Sequence, residues 1–162
     1  VPDLDRTDHL LILGANPAVS NGSLMTAPGV TDRLAAIRAR GGRVVVIDPR
    51  RTETALLADA HHFIKPGGDA LLLLALLHVV FAEGLAKPGR LDPITDGIAE
   101  LRDLSRRFAP ERVAGAIGID AEVIRTIARE RISGKRIGAL AAEDMAKVNA
   151  ALRLHLSLDR DR

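Results

Sequence analysis

The sequence predicts an α/β fold: an open, mostly parallel sheet with flanking helices, followed by a helical C-terminal segment. Two observations carry this. Short apolar runs at 10–13, 44–47 and 62–64 are separated by stretches of helical character, and alternating strand and helix selects a parallel sheet with right-handed crossovers. Each run also leads into glycine, asparagine or aspartate, as in HLLILGANP, RVVVIDPRRTETA and HFIKPGGD. Three strands would therefore deliver polar groups to one edge of the sheet, which is how an open α/β sheet builds a nucleotide site.

Taken in order, residues 1–8 are charged and turn-like, and 10–13 form a buried-strand run that Gly14 to Pro17 end. Asn21-Gly22 and Pro28-Gly29 punctuate a long loop, after which Thr31 is expected to cap a helix over 32–40, closed by Gly41 and Gly42. The β-branched run 44–47 has the character of a central strand buried on both faces, and Asp48-Pro49 stops it. A short helix is expected at 53–60 and a short strand at 62–64. Asp69 would then be the N-cap of a long apolar helix ending near Gly84.

Beyond Gly84 the character changes. Lys87-Pro88-Gly89 and Asp92-Pro93 mark a linker, and short helices are expected at 98–108, 110–116 and 121–131, the last capped by Asp120. A final amphipathic helix at 143–158 carries Met145, Val148, Leu152 and Leu156 at helical spacing. The expected division is an α/β domain over 1–131 and a helical tail over 132–162, whose apolar face would need a partner such as the sheet domain or a second copy of the chain.

Composition narrows the function classes. The chain has 162 residues, 47% of them hydrophobic, enough for one substantial core. Three Phe and no Trp or Tyr leave no stacking platforms for single-stranded nucleic acid. A net charge of +2 permits anionic partners without demanding them. The absence of cysteine excludes disulfides and thiolate metal sites within the chain. No signal peptide or membrane span is visible, since the apolar run 70–82 is broken by His78. A cytoplasmic setting is expected. The chain starts at Val1, as if upstream elements were missing.

Three loops carry the chemistry. Gly14 lets a ligand approach the backbone, and Asn16, before Pro17, offers both a donor and an acceptor, or else simply bonds its own turn. Asp48 ends the second strand, where a carboxylate can take a ribose diol; behind Pro49, Arg50 and Arg51 can pair with phosphate or form a solvated turn. Asp69, after Gly67 and Gly68, can cap its helix or take the N1–H and N2–H of a guanine. There is no GxGxxG, because the glycine after Gly14 is Gly22. His61 and His62 would point to opposite faces of a strand and His78 lies on an apolar helix, so the three read as structural.

The segments LILGANPAVSNGSLMTAP, RARGGRVVVIDPRRTETALLAD and FIKPGGDALLLLALLHVVFAEGL, in that order and spacing, resemble the molybdopterin oxidoreductases of the dimethyl sulfoxide reductase type, such as formate dehydrogenases and nitrate reductases. The similarity covers about residues 3–130. It implies an α/β domain that binds one molybdopterin guanine dinucleotide, with Asn16 and its loop near the phosphates, Asp48 and Arg50 facing the guanosine, and Asp69 on guanine or ribose. Family members usually have Thr where this chain has Gly68. They are several times longer and carry an upstream cluster domain, a metal ligand and a closing domain; this chain alone is therefore expected to bind and not to catalyse, with the remaining domains or subunits of a molybdenum oxidoreductase as partners.

A second, shorter stretch, RTIARERISGKRIGALAAEDMAKVNAALRLHLSL at about 125–158, resembles the C-terminal end of MazF/PemK-like toxins. It implies a packing helix, and it frames a competing reading: an interaction module for protein or RNA through Arg125, Arg129, Arg131, Lys135 and Arg136.

Overall fold

In the computed structural model, residues 3–20 and 27–130 are described, Arg90 by its backbone alone. The expected tail over 132–162, with Arg131, Lys135 and Arg136, lies outside them. Three parallel strands, β1 (His9–Leu13), β2 (Arg43–Ile47) and β3 (Ala60–His62), stand in the order β1-β2-β3. The fold class is the α/β arrangement expected.

Period-two alternation sorts the strand side chains onto two layers. Val44, Val46 and Ile12 pack against α2 (Val30–Ala39) and α3 (Glu53–Leu57) through Val30, Leu34, Ile37 and Ala55. Val45 and Ile47 face the opposite layer, formed by α4 (Asp69–Ala82), α6 (Pro110–Ile117) and α7 (Ala121–Glu130), with Leu72, Ala75, Ile117 and Ile124 at its centre. Because β2 is covered on both faces, its side chains from Val44 to Ile47 are all buried, which is why the run is apolar without alternation. The short helix α1 (Pro17–Ser20) follows β1, and a 3₁₀ turn (Gly89–Ile94) and α5 (Ile98–Ser105) bridge α4 and α6. Arg40 holds the leading segment down by donating to the Leu4 carbonyl at 2.8 Å, while the Leu4 side chain is buried.

Three boundaries differ from expectation, each for a local steric or packing reason. The helix expected to start behind Thr31 is capped by Gly29, whose φ of 63° is a left-handed conformation that glycine adopts freely; Thr31 lies inside the first turn. The third strand occupies 60–62 and not 62–64, because the chain leaves the sheet after His62: Phe63 is exposed, Ile64 turns into the core and Lys65 N–H donates to the Ile117 carbonyl at 2.8 Å. Asp69 is the first residue of α4 and not its cap. Gly68 caps it, and a Cβ there would lie 3.0 Å from the Lys65 carbonyl and 3.1 Å from both Ile64 and Ile117.

Other ends fall close to expectation. Thr52 caps α3 by accepting from Ala55 N–H at 3.2 Å, and Asp120 accepts from Glu122 N–H at 3.1 Å at the head of α7. The helices expected at 53–60 and 98–108 are shorter, ending at Leu57 and Ser105. Among the described residues no helix is long and apolar enough to cross a membrane.

Candidate functional site

The register aligns the strand ends: Leu13 pairs with Ile47, and Ile47 with His62. Two further bonds extend the ladder, Gly14 N–H to the Ile47 carbonyl at 2.9 Å and Asp48 N–H to the His62 carbonyl at 3.2 Å. The three loops therefore leave side by side from the carboxyl edge of the sheet.

In the first loop, Gly14 takes a φ of 57°, and nothing lies within 4 Å of where its Cβ would be, so its backbone is open to approach. Asn16 does not simply bond its own turn. Its Oδ1 accepts from Thr54 N–H at 3.1 Å and from Thr54 Oγ1 at 2.8 Å, and its Nδ2 donates to Glu53 Oε2 at 2.7 Å. Thr54, fully buried, accepts in turn from Ala18 N–H at 3.0 Å. The first and second loops are thus stitched together by one amide and one hydroxyl, with Pro17 buried beneath them.

The second loop divides its charges between inside and outside. Asp48 is only 7% exposed; its Oδ1 accepts from Arg50 N–H at 2.8 Å, and its carbonyl accepts from His61 Nε2 at 3.1 Å. Pro49, Arg50, Arg51 and Glu53 are exposed. The Glu53 carboxyl is held below the usual carboxylate range by its own backbone N–H and the Asn16 amide, with Arg50 adding attraction. In the third loop, Gly67 takes a φ of 83° with open space around it, and Gly68 N–H donates to the Lys65 carbonyl at 3.0 Å. Asp69 is exposed, with no capping bond occupying its carboxylate.

The edge can therefore present open glycine backbones, two guanidinium groups and two exposed carboxylates. Thr54 and Glu53 were not singled out by sequence reasoning. Their only signal is the Thr-Glu-Thr that follows the two arginines, since their partner lies 37 or 38 residues away.

His61 and His62 lie on β3 and His78 on α4. His61 packs edge-on against Phe63, His78 Nδ1 donates to the Ser105 carbonyl at 3.0 Å, and burial pushes His62 below its ordinary value, with His61 and Arg43 adding repulsion. His62 lines a cleft of about 290 Å³ between the sheet and α7, together with Arg43, Val45, Thr126 and Glu130. The two arginines of the basic C-terminal patch that are described are both paired: Arg125 with Glu111 and Glu122, Arg129 with Glu83 and Glu122.

Comparison with known proteins gives a consistent result. The family model described as molybdopterin oxidoreductase matches residues 1–146, continuing beyond the 3–130 expected from the motifs. The chain is 32% identical to formate dehydrogenase H of Escherichia coli (strain K12) over 86% of its own length, and 30% identical to a nitrate reductase of Klebsiella oxytoca over 96%. Acetylene hydratase from Pelobacter acetylenicus superposes with a TM-score of 0.66 at 29% identity, covering 78% of this chain and 17% of that one. The chain spans 19% and 18% of the length of the two curated relatives.

Proposed function

Because the chain belongs to the molybdopterin oxidoreductase family, we propose that its loop edge holds the guanine dinucleotide end of a molybdopterin cofactor, as one part of a larger oxidoreductase. The observation that carries this is the alignment of three strand ends, which sets the Gly14 backbone, Arg50 and Arg51, and the Gly67-to-Asp69 turn on one edge. The donor set fits the group. Guanidinium forks match phosphate oxygens, open glycine backbones admit a diphosphate, and an uncapped carboxylate such as Asp69 matches the paired N–H donors of guanine.

In this reading the residues divide by task. Arg50 and Arg51 hold phosphate, Asp69 reads guanine, and Gly14 and Gly67 allow close contact. Asp48, through its bond to Arg50 N–H, sets the turn at Pro49 from which the arginines project. Asn16 and Pro17 fix the first loop, and Gly68 lets the third loop pack tightly under Asp69. The cofactor would supply the redox chemistry, while these residues bind and orient it. The binding unit is residues 1–131, and its partners are the remaining domains or subunits of the enzyme.

A thermal-shift titration of the full chain tests the proposal. GDP should raise the melting temperature more than ADP, and Asp69→Ala should abolish the difference between them. Equal or absent protection by the two nucleotides would contradict it. Of the basic residues behind the competing RNA reading, Arg125 and Arg129 are both engaged by carboxylates.

A further inference from the structure

Glu53 belongs to the same edge but has no role in the assignments above. Its carboxylate is exposed, yet one of its oxygens is anchored: Asn16 Nδ2 donates to Oε2 at 2.7 Å. The Asn16 amide is itself oriented without ambiguity, because its Oδ1 takes two donors from Thr54, at 3.1 and 2.8 Å, which leaves the NH₂ end to face Glu53. A buried hydroxyl thus fixes an amide, and the amide fixes an exposed carboxylate between the first two loops.

A nucleotide also brings vicinal ribose hydroxyls, two O–H donors best met by a carboxylate at the end of a parallel strand. Asp48 has the sequence position for this, but it is buried, whereas Glu53 is exposed. Asp69 lies on the third loop, where guanine is assigned. We propose that Glu53, held by the Asn16–Thr54 clasp, is the acceptor for the vicinal hydroxyls of the bound nucleotide. This rests on the nucleotide site proposed above. The lowered pKa of Glu53 keeps it ionised and hence an acceptor only, and anchoring one oxygen reduces the freedom lost when the other binds.

Calorimetric titration of GDP and of 2′,3′-dideoxy-GDP into the full chain, wild type and Glu53→Ala, tests it; a thermal melt checks that the variant folds. The wild type should prefer GDP by about tenfold, the scale of one charge-assisted hydrogen bond. Glu53→Ala should remove that preference and leave the dideoxy affinity unchanged. If the wild type binds both nucleotides equally, or if the preference survives in Glu53→Ala, Glu53 does not read the ribose although the nucleotide site stands. Binding of neither nucleotide by the wild type would overturn both.

Discussion

Thr54 Oγ1 donates to Asn16 Oδ1 at 2.8 Å across 38 residues of sequence, and this contact joins the loops after β1 and β2. Because Thr54 is fully buried, its loss cannot be made good by water. Thr54→Val keeps the shape, orphans Ala18 N–H and leaves Asn16 Oδ1 with only the backbone N–H of residue 54, so urea unfolding should show a loss of about 1–3 kcal/mol. Thr54→Ser keeps the hydroxyl and should recover most of it.

Gly68 is a steric requirement more than a conformational one, since its φ of −82° suits any residue. A Cβ would press on the Lys65 carbonyl and on Ile117 and Ile64. Gly68→Thr, which installs the residue usual in the family, should cost about 1–3 kcal/mol by overpacking, measured as a lower urea midpoint. An unchanged midpoint would mean that α6 gives way without cost.

The layer under the third loop depends on Leu72, which is 1% exposed among Ile64, Ile117 and Ile124. Leu72→Ala should destabilise the chain by about 2–5 kcal/mol, whereas Leu73→Ala, on the exposed side of α4, should change little. Equal losses would place the core on the wrong face of α4.

His62 gives the fold a pH dependence of known sign. Burial lowers its pKa from the ordinary 6.5, so the folded chain binds fewer protons at this site than the unfolded one. Its contribution is fully present above pH 6.5 and is lost as pH falls through the lowered value. Stability should therefore decline on acidification below pH 6.5, and His62→Asn should flatten that decline. A slope unchanged in the variant would assign it to other groups.

The elements that could be read in the sequence are those specified by short-range pattern. The run at Val44 to Ile47, the long apolar helix and the Asp120 cap each depend on neighbouring residues. Two of the three misplacements have causes distant in sequence; the cap at Gly29 is set by its own left-handed backbone. Gly68 displaces Asp69 from the cap because Ile117 lies against it, and β3 ends early because Lys65 bonds to Ile117. The site was legible as three polar strand ends, but the division of labour within it was not. Burial of Asp48 and the clasp linking Asn16 to Glu53 and Thr54 appear only once β1 and β2 are paired.

The central claim is that the carboxyl edge of this sheet binds a guanine nucleotide, and the most direct measurement is a GDP titration of the labelled chain followed by amide NMR. The account predicts saturable shifts at Gly14, Arg50, Gly67 and Asp69, with α7 amides around Arg125 and Arg129 unmoved. Shifts confined to α7, or none at any of the three loops, would contradict it.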